Sequence, residues 1–394
     1  MRNLDIRRAD WSPGRTMDFR LTAAQEEMQR KVRQFAEQEI GPVVNEFDSH
    51  SGFPERVVLG MARLGLLGLT VPPEYGGTFT DTLSYVLAVE EVSRVCGGHG
   101  LILAAHNSLG NAHIAMFGSE EQKKKYLPPI ARGESLSAWA LTEPGAGSDA
   151  GGTMTTAIAQ GDSYILNGSK LFITSGNVAS TFVIMASTDR AKGTRGISSF
   201  IMERDTPGFR VGELEDKLGV RASSTAELFF DNAPVPKANL MGKEGEGFKQ
   251  ALQNLDGGRI SISAFSLGMA QGILDDCLRF LREPEGARLA RSQAVQFQMA
   301  RLATETEAAR LLVYRCAYMK DAKIPYSKES AMAKLYASET ASRNGMACVQ
   351  LMGPAGLTRK YAVERLTRDA KLAEIGEGTS EIQKLVISRQ LGLG

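Results

Sequence analysis

The sequence lacks the features that define several large classes of protein. No apolar run approaches the roughly 18 residues that a membrane-spanning helix requires. The formal net charge is only +1, from 46 Lys and Arg against 45 Asp and Glu, and no block of basic residues occurs. A nucleic-acid or polyanion binder is therefore not indicated. We expect neither membrane insertion nor nucleic-acid binding.

Cysteine is also scarce. None of the four cysteines stands at C-x-x-C spacing, so neither a zinc ribbon nor a thioredoxin-like site is indicated. We expect buried, reduced thiols at Cys96, Cys277, Cys316 and Cys348. Residues 1–16 carry several Arg but also Asp5 and Asp10. They lack the apolar core of a secretory signal and are too acidic for a transit peptide. We expect a loosely packed arm on a cytoplasmic protein.

Histidine motifs for metal or hydrolase chemistry are missing. No H-E-x-x-H occurs, and no G-x-S-x-G occurs. His99 and His106 stand seven residues apart and can share a helical face. A structural or pocket-lining role is favoured for them, and no metal site is predicted.

Residues 21–132 have a helical pattern. An apolar stripe at spacings of three and four comprises Met28, Val32, Phe35, Ala36 and Ile40. Thr22 with Gln25 resembles a capping box, and Pro42 is expected to stop or kink the first helix. Further helices are predicted at 55–66, 80–96, 101–117 and 119–132.

A β-rich pattern replaces the helical one near residue 136. Asn167-Gly168 lies between two alternating runs and predicts a hairpin turn there. Further strands are predicted at 181–187, 197–203, 209–214 and 226–231, and Pro234 and Pro236 are expected to end the last one.

From Gly247 the helical period returns in long apolar stripes that resemble the facing surfaces of an antiparallel bundle. The predicted fold class is α+β and mostly α. It consists of an N-terminal helical domain at 1–135, a β-barrel or sandwich domain at 136–243, and a C-terminal four-helix bundle at 244–394.

The segment "GAGSDA", residues 145–150, matches the G-x-G-x-x-A pattern of nicotinamide-dinucleotide sites. That fingerprint should follow a strand and open a helix, whereas here helices precede it and strands follow. Two interpretations remain. The segment is either a Gly-rich loop whose exposed amides and Ser148 let a cofactor approach the backbone, or an ordinary surface loop.

The segment "AEIGEGTSEIQK" sets an acid, Glu377, between Gly376 and Gly378. A carboxylate that removes a C–H proton must contact that carbon and acts better when burial raises its pKa. Flanking glycines would leave such a base uncrowded. Alternatively, Thr379 or Ser380 caps a helix here and Glu377 only interacts with its dipole. The segment alone does not choose between these interpretations.

Several segments together resemble one family, the acyl-CoA dehydrogenases. They are "LGLLGLTVPPEYGG", "AWALTEPGAGSDA", "LNGSKLFITSG", "KLGVRASSTAELFFDNAPVP", "GEGFKQAL" and "RDAKLAEIGEGTSEIQKLVISR". The resemblance covers about residues 18–392. It implies non-covalent FAD, a homotetramer, and α,β-desaturation of an acyl-CoA, with electrons passing to electron-transfer flavoprotein.

The resemblance also implies roles for particular residues. Glu377 matches the base that takes the α-proton while flavin N5 receives the β-hydride, and Gly258 occupies the alternative base position of other branches. Residues matching flavin contacts are Trp139, Leu141, Thr142, Gly147, Ser148, Phe172, Thr174, Thr379 and Glu381. Residues matching contacts to a neighbouring subunit's FAD are Arg282, Gln293, Gln350 and Gly353. Substrate contacts are implied for Ser148, Asp256, Arg259 and Gly378.

The sequence departs from the family pattern in three places. Pro284 and Glu285 replace a small turn and Phe, and Pro354 removes an amide donor from a Gly-rich motif. Gly376 stands where Tyr is frequent, which predicts a wider pocket for a branched or cyclic acyl group, besides a short or medium linear chain. An oxidase on the same fold and a non-catalytic CoA-binding member are the competing hypotheses.

Overall fold

The N-terminal helices begin as the apolar stripe predicts. The computed structural model describes residues 20–393, so the arm predicted at 1–16 lies outside the described residues. Helix α1 (Ala23–Phe35) starts with the predicted capping box, in which Thr22 and Gln25 exchange hydrogen bonds. Around Pro42 the chain continues as a π-helical turn (Ala36–Ile40) and a 3₁₀ turn (Gly41–Val43) into α2 (Val44–His50). Pro42 therefore kinks the helical path without ending it.

The remaining helices of this region follow the predicted positions closely, with one interruption. They are α3 (Glu55–Arg63), α4 (Thr82–Val95), α5 (Gly97–Ala105), α6 (Ala112–Phe117) and α7 (Glu120–Ala131). The helix predicted at 101–117 is present, and a π-helical segment, His106–Asn111, lies within it between α5 and α6. Such segments are rare and occur frequently at functional sites.

The central region is one eight-stranded sheet. Its strands are β1 (Ser137–Ala140), β2 (Thr156–Gln160), β3 (Ser163–Thr174), β4 (Thr181–Ser187), β5 (Ile197–Glu203), β6 (Phe209–Leu214), β7 (Thr225–Pro236) and β8 (Leu240–Met241). The order is β6-β7-β3-β2-β4-β5-β8, and β1 pairs in parallel with β4. Every residue of β4 is buried, so this strand lies at the centre of the domain.

The hairpin predicted at Asn167-Gly168 is wrong. The turn lies at residues 161–162, because Gln160 pairs with Ser163, and β3 continues through Gly168. Gly168 has φ +142°, and an ideal Cβ there would lie 2.7–3.0 Å from Thr155. The glycine therefore permits a β-bulge and a close approach of two strands.

The prolines predicted to end the last strand instead belong to it. Strand β7 pairs with β3 as far as Pro236, with Pro234 opposite Ile165. On its other side, β6 pairs with β7 only as far as Phe230. The two prolines therefore lie where β7 has a free edge, and a missing N–H is tolerated there.

The C-terminal helices pack around one long helix. They are α8 (Gly247–Arg282), α9 (Ala287–Ala290), α10 (Gln293–Asp321), α11 (Ser327–Met352), α12 (Val363–Ile375) and α13 (Ser380–Gln390). Helix α8 contacts α4, α10, α11 and α12. An ideal Cβ on Gly268 would lie 2.2 Å from Glu90 O of α4, so glycine is what lets these two helices approach so closely.

The predicted fold class is confirmed. The chain is mostly helical (61 %), with helical N-terminal and C-terminal regions around a central sheet. All four cysteines are buried and free, as predicted. Within residues 20–393, no helix has the length and apolar character needed to cross a bilayer. In the same part of the chain, no three His, Cys, Asp or Glu side chains are grouped to hold a metal ion.

Candidate active site

The loop between α12 and α13 has an unusual backbone. Glu377 has φ +54° and Gly378 has φ +94°, and the left-handed region disfavours residues other than glycine. Thr379 then caps α13 by accepting a hydrogen bond from the backbone N–H of Ile382. Thr379 alone supplies the cap, so Glu377 is not needed for it.

The Glu377 carboxylate points toward α8. Its Oε2 atom is buried and has no hydrogen-bond partner, although the residue as a whole is partly exposed. An ideal Cβ on Gly258 would lie 2.6 Å from this oxygen and 3.3 Å from Leu109 Cδ2. The acid therefore fills the space that the missing side chain of Gly258 leaves.

Burial raises the pKa of Glu377 to about 8, while the positive charges of Lys334 and Arg259 oppose the increase. A carboxyl group with this pKa exchanges a proton near neutral pH, which is the range in which a general base is most effective. An unpartnered, desolvated carboxylate is also free to contact a substrate C–H.

Two donors fix the backbone next to the acid. Lys334 of α11 donates from Nζ to Gly378 O at 2.6 Å, and Gln383 of α13 donates from Nε2 to the same oxygen at 2.9 Å. The Lys334 side chain is wholly buried. Its ammonium is thus a nearby charge for Glu377 as well as a hydrogen-bond donor.

Asp256 and Arg259 lie one turn apart on the same part of α8 as Gly258. Arg259 is buried and its Nη1 lies 2.5 Å from Asp256 Oδ1, which also accepts from Ser327. Burial lowers the pKa of Arg259 and raises the pKa of Asp256, so the pair is partly desolvated. Arg259 lies close enough for its charge to act on Glu377, and Asp256 is its ion-pair partner.

The π-helical segment joins the sheet to helix α8. The backbone N–H of Ser137 in β1 donates to His106 Nδ1 at 3.2 Å, and the Ser137 hydroxyl donates to Asn111 Oδ1 at 2.7 Å. On the other side, Asn254 of α8 donates to Leu109 O at 3.0 Å. His106 is buried, and that burial lowers its pKa to about 4. The neutral ring therefore accepts the hydrogen bond from Ser137, which is a structural role of the kind predicted.

A buried ion pair shapes the Gly-rich loop at residues 141–155. Lys170 Nζ lies 2.7 Å from Glu143 Oε1 and 3.0 Å from Leu141 O. Glu143 also accepts from the backbone N–H groups of Met154 and Thr155. These contacts hold the loop against β3, and the Leu171 N–H donates to Thr142 O at 2.9 Å.

The exposed side of that loop presents groups suited to a flat ligand. An ideal Cβ on Gly145 or Gly147 would meet no atom within 4 Å, and Ser148 is exposed. Phe172 is 57 % exposed and has φ +58° at a bulge of β3. An exposed aromatic ring on strained backbone is a feature of ligand sites. Trp139 is partly buried and donates from Nε1 to His113, and Thr174 is partly buried.

The remaining predicted site residues form a second group. Arg282, Gln293 and Gln350 are exposed, and Gly353 has φ +58°. At about 1.5 Å per helical residue, Arg282 lies roughly 36 Å along α8 from Gly258. The structure therefore does not bring this second group together with Glu377 within one chain. Thr379 and Glu381 lie at the start of α13, directly after the acid, and Glu381 is exposed.

The family models for acyl-CoA dehydrogenases match nearly the whole described chain. The N-terminal domain model matches residues 22–134, the middle domain model 138–233 and the C-terminal domain model 245–392. The chain therefore belongs to the acyl-CoA dehydrogenase family, a family of flavoprotein oxidoreductases of fatty acid oxidation.

Individual relatives share most of their length with this chain. A short-chain specific acyl-CoA dehydrogenase of Clostridium acetobutylicum is 50 % identical over 95 % of this chain and 100 % of its own. Butyryl-CoA dehydrogenase from Megasphaera elsdenii has a TM-score of 0.92 at 41 % identity, covering 95 % and 100 % of the two chains.

Two further solved structures bear on cofactor and partner. A chain in a structure described as electron transferring flavoprotein of Acidaminococcus fermentans has a TM-score of 0.93 at 48 % identity, over 95 % of this chain and 99 % of that one. A glutaryl-CoA dehydrogenase from Mycobacterium smegmatis in complex with FADH2 has a TM-score of 0.89 at 31 % identity, over 94 % and 95 %.

Some residues of the site were not identified from the sequence. They include Lys334, Gln383, Leu109 and Asn254. Only Lys334 carried a signal, since a lysine stood within the mostly apolar stripe "SAMAKLYASETAS" of a predicted buried helix. Lysine is rarely fully buried without a partner, so its position could have been taken as a sign of a polar contact.

Proposed function

We propose that this protein catalyses the FAD-dependent α,β-dehydrogenation of an acyl-CoA thioester to the trans-2-enoyl-CoA, with Glu377 as the base that removes the α-proton. The observation that carries the proposal is the buried, unpartnered Oε2 of Glu377. Its raised pKa suits proton abstraction from carbon, and the missing side chain of Gly258 leaves the carboxylate room at this position.

The exposed face of the sheet domain fits a flavin. The open glycines Gly145 and Gly147, the exposed Phe172 ring and the polar Ser148 offer backbone donors, a stacking surface and a hydroxyl. Residues that would hold the cofactor are Trp139, Leu141, Thr142, Gly147, Ser148, Phe172, Thr174, Thr379 and Glu381. Bound FAD would supply the acceptor for the β-hydride.

The second group of residues supports a homotetramer. Because Arg282, Gln293, Gln350 and Gly353 lie far from Glu377 along the bundle, they would serve the FAD of a neighbouring subunit. The Arg282 guanidinium suits a pyrophosphate. Arg282→Ala should lower the FAD content of the purified protein, measured as flavin absorbance per chain. Unchanged FAD retention would contradict this assignment.

For the substrate, we infer a short acyl chain, since the relative from Clostridium acetobutylicum is short-chain specific. Asp256, Arg259, Gly378 and Ser148 are the candidate contacts for the thioester and the CoA arm. An ideal Cβ on Gly376 would contact Leu372 at 3.4 Å. The alternative is a branched or cyclic acyl group in the wider pocket predicted from Gly376. Comparing rates with linear, branched and cyclic acyl-CoAs would distinguish the two.

Electron-transfer flavoprotein is the proposed acceptor, supported by the similarity to a chain in the Acidaminococcus fermentans structure. A cytoplasmic location and domain boundaries at 1–135, 136–243 and 244–394 belong to the same proposal. The boundaries are supported by the first strand at Ser137 and the start of α8 at Gly247.

The decisive experiment is an anaerobic titration of the purified, FAD-containing protein with linear, branched and cyclic acyl-CoAs, followed by flavin absorbance. We expect butyryl-CoA to bleach the flavin fastest. Glu377→Gln should retain FAD and bind acyl-CoA, yet reduce flavin about 10²–10⁴-fold more slowly or worse. Bleaching at the normal rate in Glu377→Gln would refute the proposal. Peroxide formation in air would indicate an oxidase, and no bleaching by any acyl-CoA would indicate a non-catalytic protein.

A further inference from the structure

Lys334 occupies a position that packing alone does not explain. Its side chain is wholly buried in α11, and its Nζ donates to Gly378 O at 2.6 Å. A buried ammonium loses hydration worth several kcal/mol in order of magnitude. Because Gln383 already donates to the same carbonyl oxygen at 2.9 Å, hydrogen bonding to that oxygen does not by itself require a charged group.

The carbonyl that Lys334 holds belongs to the residue directly after the acid. Glu377 and Gly378 both have left-handed backbone angles, a conformation that the neighbouring structure must maintain. An ideal Cβ on Gly378 would lie 2.8 Å from Gln383 Nε2, so the two donors and the glycine fit together closely. The position of the Glu377 side chain therefore depends on this peptide's orientation.

The charge of Lys334 acts on the same acid. The positive charge of Lys334 makes the largest electrostatic contribution in favour of the ionised form of Glu377, and Arg259 of α8 makes the next largest. The burial of Lys334 lowers its own pKa to about 8, and Glu377 opposes that change. The other titratable groups that face the pair are Tyr85 of α4, Glu374 of α12, Glu339 of α11 and Glu381 of α13.

We propose that Lys334 is a positioning residue for the acid: its ammonium orients the Gly378 peptide, and its positive charge makes the Glu377 carboxyl group easier to ionise in a desolvated site. This inference rests on the proposed role of Glu377 as the base. The proposal assigns different functions to the two side chains that donate to Gly378 O. Gln383 contributes orientation only, whereas Lys334 contributes orientation and charge.

The test compares neutral substitutions at the two donors. In Lys334→Met and Lys334→Gln, the rising limb of the pH profile for anaerobic flavin reduction should move to higher pH by about one unit. Without the positive charge of Lys334 beside it, the Glu377 carboxyl group is harder to ionise. That shift corresponds to roughly a tenfold slower reaction at neutral pH. Gln383→Leu should slow the reaction without moving the limb. Lys371→Met, on the exposed side of α12, is the matched control and should change neither.

A second measurement does not depend on turnover. Denaturation midpoints are compared for the wild type, Lys334→Met, Glu377→Gln and the double variant at pH 6 and pH 8. We expect the changes in denaturation midpoint caused by the two substitutions to be non-additive at pH 8. They should be closer to additive at pH 6, where the Glu377 carboxyl group is protonated.

The outcomes separate the two hypotheses. If Glu377→Gln reduces flavin normally, the proposed function fails whatever Lys334 does. If Glu377→Gln is inactive but both neutral Lys334 variants keep the wild-type limb, or the cycle is additive at both pH values, the inference about Lys334 is wrong. If Lys334→Met does not fold, Lys334→Gln, which keeps an N–H donor, gives the same test of charge.

Discussion

Replacing Glu377 by Gln should stabilise the protein, and the stabilisation should grow with pH. The folded-state pKa of Glu377 is about 8, against 4.5 for an ordinary glutamate. A carboxyl group whose pKa is raised by folding does not lower the free energy of unfolding at pH values below its unfolded-state pKa. It then destabilises progressively as the pH rises through the folded value, because the unfolded chain releases the proton first.

The magnitude follows from the same difference. At about 1.36 kcal/mol per pKa unit, the raised pKa corresponds to a ceiling of about 5 kcal/mol above pH 8. The charges of Lys334 and Arg259 are already contained in this pKa, but the residue is partly exposed, and solvent screening reduces the gain. We therefore expect Glu377→Gln to raise the free energy of unfolding by about 2–3 kcal/mol at pH 8, and by little at pH 5.

The assay is chemical denaturation of the FAD-containing protein at fixed protein concentration, at pH 5, 6, 7 and 8. Glu374→Gln is a matched control three residues earlier in α12. Burial alone would raise the pKa of Glu374, but its hydrogen bonds to Lys371 and Ser342 outweigh burial and lower it. This variant should be destabilised by a nearly constant amount from pH 5 to pH 8, because a carboxylate with a lowered folded-state pKa loses its stabilising contribution only below its ordinary pKa of 4.5. A stability difference for Glu377→Gln that is constant, or that shrinks as the pH rises, would refute the reasoning.

Four further predictions concern the site, its supports and the buried histidines. Gly257→Ala, where an ideal Cβ meets only Lys320 Nζ at 3.5 Å, should raise stability by about 0.5–1 kcal/mol without slowing flavin reduction. Gly258→Ala should displace the Glu377 carboxylate and slow flavin reduction about tenfold or more; equal rates in stopped-flow measurements would count against the geometry. Lys170→Met should cost about 3–5 kcal/mol, because Glu143 loses its partner in a buried site, and should release FAD during gel filtration; full retention of flavin would contradict it. Acid should destabilise the wild type as the pH falls below 6.5, because burial lowers the pKa of three histidines and only the unfolded chain then takes up protons; midpoints that stay constant from pH 7 to 5 would argue against unprotonated His99, His106 and His113.

Local patterns predicted the elements of this fold well. The stripe from Met28 to Ile40, the capping box at Thr22 and most strand positions depend on neighbours within one turn or one strand. Such signals are visible in a sequence. The errors came from long-range packing. Gly168 looked like a turn residue, yet it is required by the close approach of Thr155, which directly precedes β2.

The candidate site shows the same limit. Glu377 was singled out because glycines flank it, but its partners come from elements far apart in the chain. Gly258 lies on α8, Leu109 on the π-helical segment and Lys334 on α11. No local pattern relates these positions, because their proximity is set by how the helices pack. Likewise, the distance between Arg282 and the Glu377 site follows from the length of α8, which only the structure shows.

The glycines around Glu377 answer different requirements. Gly378 is needed because its φ of +94° and its contact with Gln383 exclude a side chain. Gly376 has an ordinary φ of −69°, so its backbone does not require glycine. Glu377 itself has a left-handed backbone and a buried carboxylate, and each feature opposes folding by an amount of order 1 kcal/mol or more. The acid at this position therefore lowers stability, and such a local cost supports a chemical role for Glu377.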